Sequence, residues 1–216
     1  MSRYTGPVCR LCKAESAKLF LKGDRCYTEK CAITRSEAGE GKANKKATSR
    51  PKTKVSEYGI RLREKQKLRR FYGMQESQFR RFYGIAEKMQ GQTGHNFLQL
   101  LERRLDNVVH RLGLGISRAQ ARQLVLHGHF LVNGKKVDIP SYLIEAGDVV
   151  TVKEKSKTVP VIKENAEAAA AKKGGGTPAW LEFDAVKFEG KVVSVPTRDQ
   201  VDAPVTEQLV VEFYAR

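Results

Sequence analysis

Ser117-Arg118-Ala119-Gln120-Ala121-Arg122-Gln123-Leu124-Val125, followed shortly by His129-Phe130-Leu131-Val132-Asn133-Gly134-Lys135-Lys136-Val137, is the stretch whose reading decides the fold. Ser117 has the character of a helix N-cap, with Gln120 three residues on, and the spacing predicts a helix from Arg118 to about His127, stopped by Gly128. Asn133-Gly134 between two short apolar or alternating runs is the strongest local signal for a β-hairpin. Upstream, Phe97, Leu101, Leu105, Val108 and Leu112 keep the rhythm of one buried helix stripe, while Glu102, Arg103, Asp106 and Arg111 point elsewhere; Gly113 and Gly115 end it. Downstream, Gly147-Asp148 precedes a strand from Val149 to Val152. Two helices meeting at a glycine turn and then a hairpin define an α+β class.

Further out the chain changes character. Pro160 to Lys173, with Ala168 to Ala171 in a row, predicts an exposed helix ended by Gly174-Gly175-Gly176; Trp180 to Phe183, Lys191 to Val195 and Gln208 to Tyr214 read as strands. Before the module, Leu68-Arg69-Arg70-Phe71-Tyr72-Gly73 is echoed by Phe79-Arg80-Arg81-Phe82-Tyr83-Gly84, each unit predicted to end a helix at its glycine. The aromatics are either base-stacking groups or core; the Arg pairs are the stronger RNA candidates. Gly39-Glu40-Gly41-Lys42-Ala43-Asn44-Lys45-Lys46 holds no apolar residue beyond Ala, so its order would have to come from a ligand.

The 216 residues carry 40 Lys and Arg against 24 Asp and Glu, a net charge of +16 that predicts a polyanionic partner. Residues 42 to 81 alone hold 14 Lys or Arg and three acids, whereas 182 to 216 hold four basic residues and seven acids, so the partner surface is expected toward the former. With no apolar run of about eighteen residues and no apolar leader, the expected setting is cytoplasmic, with no membrane and no small-molecule substrate. The roughly sixty residues after position 153 show no paired acid, base or nucleophile, which argues against an enzyme.

All four cysteines, Cys9, Cys12, Cys26 and Cys31, fall in the first 31 residues as Cys-x2-Cys and Cys-x4-Cys. Four thiolates in two short knuckles suit one tetrahedral, closed, structural Zn2+, and a segment this poor in large apolar residues needs such a staple. Two disulfides or free thiols are the alternatives, the first disfavoured in a reducing compartment.

Arg104-Leu105-Asp106-Asn107-Val108-Val109, the stretch quoted at the outset, and Pro140-Ser141-Tyr142 followed by Gly147-Asp148 resemble the S-four RNA-binding domain. Tyr58-Gly59-Ile60-Arg61-Leu62-Arg63-Glu64-Lys65, Pro178-Ala179-Trp180-Leu181 and Glu207-Gln208-Leu209-Val210-Val211-Glu212-Phe213-Tyr214 are similar to the ribosomal protein S-four family in its zinc-binding form, so the likeness spans nearly the whole chain. It departs at Ala38-Gly39-Glu40-Gly41-Lys42, where the family usually has Pro-Gly-Gln-His-Gly.

The resemblance implies a structural constituent of the small ribosomal subunit that binds the 5′ domain of its rRNA and nucleates assembly. It further implies contact with ribosomal protein S-five, an influence on translational accuracy, and basic residues near the channel through which mRNA enters, onto which Lys45, Lys46 and Arg50 are carried. The candidate RNA contacts are those three with Lys54, Arg61, Lys65, Arg69, Arg70, Arg80, Arg81, Arg104, Ser117, Arg118, Gln120, Arg122, Gln123 and Lys135. Arg118 and Arg122 lie one helical turn apart beside free N–H groups that favour phosphate, against the plain reading of a solvated face; Gln120 is divided between cap and RNA contact. His127 and His129 are equally open as RNA donors or bystanders. The implied division is a zinc-binding segment (1–35), a basic arm (36–55), a helical domain (56–101), the RNA-binding module (102–158) and a helix with carboxy-terminal strands (159–216).

Overall fold

A computed structural model describes residues 4–37, 56–171 and 177–215. The chain forms two compact units, one made of residues 1–79 and 203–216 and the other, inserted between them, of residues 80–202.

In the first unit, α1 (Cys9–Glu15) and α2 (Ala32–Glu37) bracket a 3-10 turn over Gly23–Cys26. Cys12, Leu19, Cys31 and Ile33, flanked by Leu21, form an apolar cluster there. Helix α3 (Glu57–Phe71) starts at Ser56, whose hydroxyl accepts the Gly59 amide at 3.2 Å. Gly73 follows α3 with φ +63°, as the repeat predicts. Gly84, predicted to end a helix, instead lies inside α4 (Glu76–Lys88), which continues because Phe82, Tyr83 and Ala86 around it are buried. The repeated aromatics are core, with Phe71, Tyr72, Phe79, Phe82 and Tyr83 all buried.

Gln208 to Tyr214, read as a strand from its β-branched and aromatic residues, is instead helix α10 (Glu207–Tyr214). Tertiary partners decide this. The Thr206 amide at its start donates to the Glu64 carboxylate of α3 (3.1 Å), Glu212 accepts from Arg61 Nε (2.7 Å), and Phe213 lies against Tyr58. Intrinsic β-preference is a weak prior beside such docking.

In the second unit the predicted single helix from Phe97 to Leu112 is two, α5 (Thr93–Glu102) and α6 (Leu105–Arg111). The break falls where backbone pairing with a distant loop competes for the amides. Leu105 N–H donates to Tyr142 C=O (2.9 Å), Asp106 N–H to Pro140 C=O (3.1 Å), and Ile144 N–H to Arg103 C=O (2.9 Å). Helix α7 (Arg118–Leu126) starts at Ser117 as predicted, its hydroxyl accepting the Gln120 amide at 3.3 Å.

Strands β1 (Phe130–Val132) and β2 (Lys135–Lys136) form the predicted hairpin, with φ of +49° at Asn133 and +75° at Gly134, as a type I′ turn demands. Strand β3 (Val149–Val152), the short α8 (Glu154–Lys157), α9 (Pro160–Ala171), β4 (Leu181–Asp184) and β5 (Glu189–Val192) follow. The sheet is antiparallel in the order β2-β1-β3-β5-β4, with Val150 opposite both Val132 and Gly190. Helix α9 is not simply exposed. It buries Ile162, Asn165 and Ala166, and Asn165 donates to the Leu114 carbonyl (3.1 Å). Leu105, Val108, Leu112, Val125, Phe130, Val150 and Trp180 belong to one continuous core.

Candidate nucleic-acid interface and cysteine site

Cys12, Cys26 and Cys31 are buried and Cys9 partly so, all four as free thiols. They line one cavity of about 20 Å³ together with Leu21 and Ile33, room for one water-sized occupant. As the side chains stand, no group of three or more His, Cys, Asp or Glu among the described residues is arranged to hold a metal. Burial, with the neighbouring thiols adding to it, pushes Cys12 and Cys26 up from the ordinary thiol range. Burial also acts upward on Cys31, but donors from Thr34 and Ile33 outweigh it and carry that thiol down. The Lys22 amide points at Cys26 Sγ (3.4 Å).

Among the described residues, the four basic candidates of the first unit are paired within it. Lys65 is buried; its Nζ donates to Glu76 (2.7 Å) and lies 4.7 Å over the Phe213 ring. Burial alone would raise the Glu76 carboxyl, but hydrogen bonds from Lys65 and Tyr214 bring it below the usual carboxylate range. Arg61 pairs with Glu212, Arg69 with Gln66 (3.0 Å), and Arg70 with Glu15. Lys45, Lys46, Arg50 and Lys54, with residues 38–55 of the arm, lie outside the described residues.

In the second unit, Arg104 is 0% exposed, so its assignment as an RNA contact is corrected. Its guanidinium grips Asp106 through Nε (3.0 Å) and a terminal nitrogen (2.6 Å) and stands 5.5 Å from the Phe82 centroid. Arg122 is also buried, 8% exposed, and donates to the same Asp106 carboxylate at 2.9 Å. Sequence reasoning missed Asp106, which it had pointing away from the core. It is the counter-charge that two buried guanidinium groups share.

A second network adjoins the first. Glu102, 0% exposed, accepts from Arg111 (2.8 and 3.0 Å) and from Asn107 Nδ2 (2.7 Å). Asn107 Oδ1 in turn accepts from Arg118 Nε (2.8 Å), which fixes that partly exposed guanidinium at the start of α7. Arg111 also holds Asp202, whose carboxyl burial would raise but which Arg111 draws below its usual range. His110 Nδ1 lies 2.9 Å from the Gly115 carbonyl, so Nδ1 carries the proton. Burial, with Arg118 and Arg111 beside it, lowers the imidazole to about 4, so the ring is neutral at pH 7.

Ser117 is buried as the cap, and the Gln120 side chain accepts the Ile116 amide (2.7 Å), so Gln120 has the capping part of its double reading. Arg80, Arg81, Gln123, His127, Lys135 and Lys136 are exposed, and His129 is held at Ser156 Oγ (2.9 Å). A helix-turn-helix and hairpin that presents Arg118, Gln123 and Lys135 over a core locked by buried ion pairs is the build of an RNA-binding module, and the comparisons agree. "S4 domain" matches residues 103–150, and "Ribosomal protein S4/S9 N-terminal domain" matches residues 3–102. The chain is 57% identical, over the full 216 residues of both proteins, to small ribosomal subunit protein uS4 of Desulforamulus reducens and to that of Pelotomaculum thermopropionicum. It is 56% identical over the same full length to small ribosomal subunit protein uS4 of Acetivibrio thermocellus.

The chain therefore belongs to the uS4 family, structural and non-enzymatic proteins of the small ribosomal subunit, which in bacteria is cytoplasmic. No helix among its described residues is long and apolar enough to cross a membrane.

Proposed function

We propose that this chain is a primary binder of the 5′ domain of small-subunit rRNA and nucleates assembly of the subunit, its amino-terminal segment stapled by one Zn2+ on Cys9, Cys12, Cys26 and Cys31. The carrying observation is the module of residues 103–150, in which Arg118 is fixed by Asn107 at the start of α7 while Gln123 and Lys135 stay exposed. Shape and backbone recognition of folded RNA fits this set better than base readout, because A-form helices hide their major-groove edges. A protein seated there would also contact ribosomal protein S-five, lie near the channel by which mRNA enters, and influence translational accuracy.

The zinc reading is supported by four unbridged thiols around one cavity, by the N–H groups aimed at Cys26 and Cys31, and by an apolar cluster too small to hold the segment alone. The ion would draw the four sulfurs together as thiolates and supply folding free energy.

The test is binding of the full chain to 5′-domain rRNA against an equal-length duplex DNA across a salt series. Selective, salt-sensitive RNA binding is expected, with Lys135→Ala reducing the salt slope by about 1. Equal binding to both polymers would leave a basic protein with no preferred target and sink the proposal.

A further inference from the structure

The cysteine segment presents an aromatic surface that metal binding does not use. Tyr27, the residue after Cys26, is 76% exposed, the highest exposure among the large aromatic side chains described. Its ring stacks on Phe20 with centroids 5.0 Å apart and planes 27° from parallel, so Phe20 backs one face and the other is open to solvent. Phe20 itself sits at φ +51°, a left-handed conformation that is an outlier for a bulky residue. Strain of that kind persists only where the surroundings over-determine it.

The turn that carries Tyr27 is hydrogen-bonded along its backbone. The Tyr27 amide donates to Asp24 C=O (3.0 Å), the Cys31 amide to Thr28 C=O (3.0 Å), and the Thr28 hydroxyl to Arg25 C=O (3.1 Å). The charge around the pair is basic: residues 1–35 hold eight Lys or Arg against three acids, and Lys22, Arg25 and Lys30 near Tyr27 in the chain are exposed. A pre-set aromatic face with cations beside it matches the chemistry of an unpaired nucleobase and its flanking phosphates, since every base offers a π face and the phosphates supply the negative charge.

We propose that Tyr27, backed by Phe20, is a stacking platform for an unpaired base of the bound RNA, with Lys22, Arg25 and Lys30 against the adjoining phosphates. The proposal rests on the rRNA-binding reading and adds to it a contact outside the S4 module.

The experiment compares wild-type chain, Tyr27→Phe, Tyr27→Leu and Tyr27→Ala for affinity to 5′-domain rRNA, with the wild type's preference over duplex DNA measured alongside. Tyr27→Phe should bind as wild type, while Tyr27→Leu and Tyr27→Ala should lose about tenfold, the order of one base–aromatic stack. Leucine keeps the apolar bulk without the π face, so a packing role would leave Tyr27→Leu unharmed. Ultraviolet crosslinking of the wild-type chain, which depends on no variant's folding, should place a nucleotide adduct at Tyr27. Leucine or alanine variants that bind as wild type, or adducts found only elsewhere in the chain, overturn the platform while leaving selective rRNA binding intact. Loss of the wild type's own preference for RNA would instead remove the reading on which the platform rests.

Discussion

The cysteine-bearing segment, residues 4–37, and the helix–hairpin module, residues 103–150, both carry exposed basic side chains, yet they have very different means of holding them. The module shares a continuous apolar core, from Leu105 to Val192, with the strands and helix that follow it, and buried ion pairs, Arg104–Asp106–Arg122 and Glu102–Arg111, lock it. The segment has five buried apolar residues, three of them cysteines, and short helices of seven and six residues. Helices that short do not persist on propensity alone. A charged surface can thus be pre-organised by an apolar core or, as proposed for the cysteine segment, by an external staple, and the two should fail under different insults.

The sharpest attack on the module side is Asp106→Asn, which removes the buried carboxylate charge that Arg104 and Arg122 share. A loss of roughly 3–5 kcal/mol is expected in denaturant unfolding, with the cysteine segment's metal content unchanged. A loss under about 1 kcal/mol would mean that solvent reaches the pair and that the module's lock is superficial.

Acid should attack the same side next. The folded-state value for His110 is about 4, depressed from 6.5, so the unfolded chain binds the proton more readily. The contribution is fully present above the unfolded value, declines as pH falls from about 6.5 toward 4, and is lost below that. Unfolding midpoints between pH 7 and 4.5 should report a loss of about 2–3 kcal/mol, and His110→Gln should flatten that dependence. A smaller effect is expected at the cap: Ser117→Ala should cost about 1 kcal/mol by leaving the Gln120 amide without its acceptor. Equal stability in that variant would show that the Gln120 side chain secures the start of α7 by itself.

What could be read from residues alone follows the range of the forces involved. Ser117 with Gln120 set the start of α7, and Asn133-Gly134 set the hairpin, because caps and I′ turns are decided within a few residues. The break between α5 and α6 has no Gly or Pro to mark it; it arises from amides that bond to Pro140 and Tyr142, some 35 residues away. Helix α10 was hidden for the same reason, since Glu64, 142 residues distant, receives the Thr206 amide at its start. The sequence presents Arg104, Lys65 and Arg122 as candidate RNA contacts because charged residues are seldom buried unless paired, and their pairing with Asp106 and Glu76 is a fact of tertiary structure. Asp106, two residues after Arg104, is the one local signal that points to the first of these pairs.

The proposed contrast between a module held by an apolar core and a metal-stapled segment is tested most directly by hydrogen exchange on the full chain, zinc-loaded and then treated with a chelator. Protection should collapse across residues 9–37 on chelation while amides of residues 105–126 and 130–152 keep theirs. Unchanged protection in the cysteine segment after the metal is gone, or loss of protection in both regions together, would contradict it.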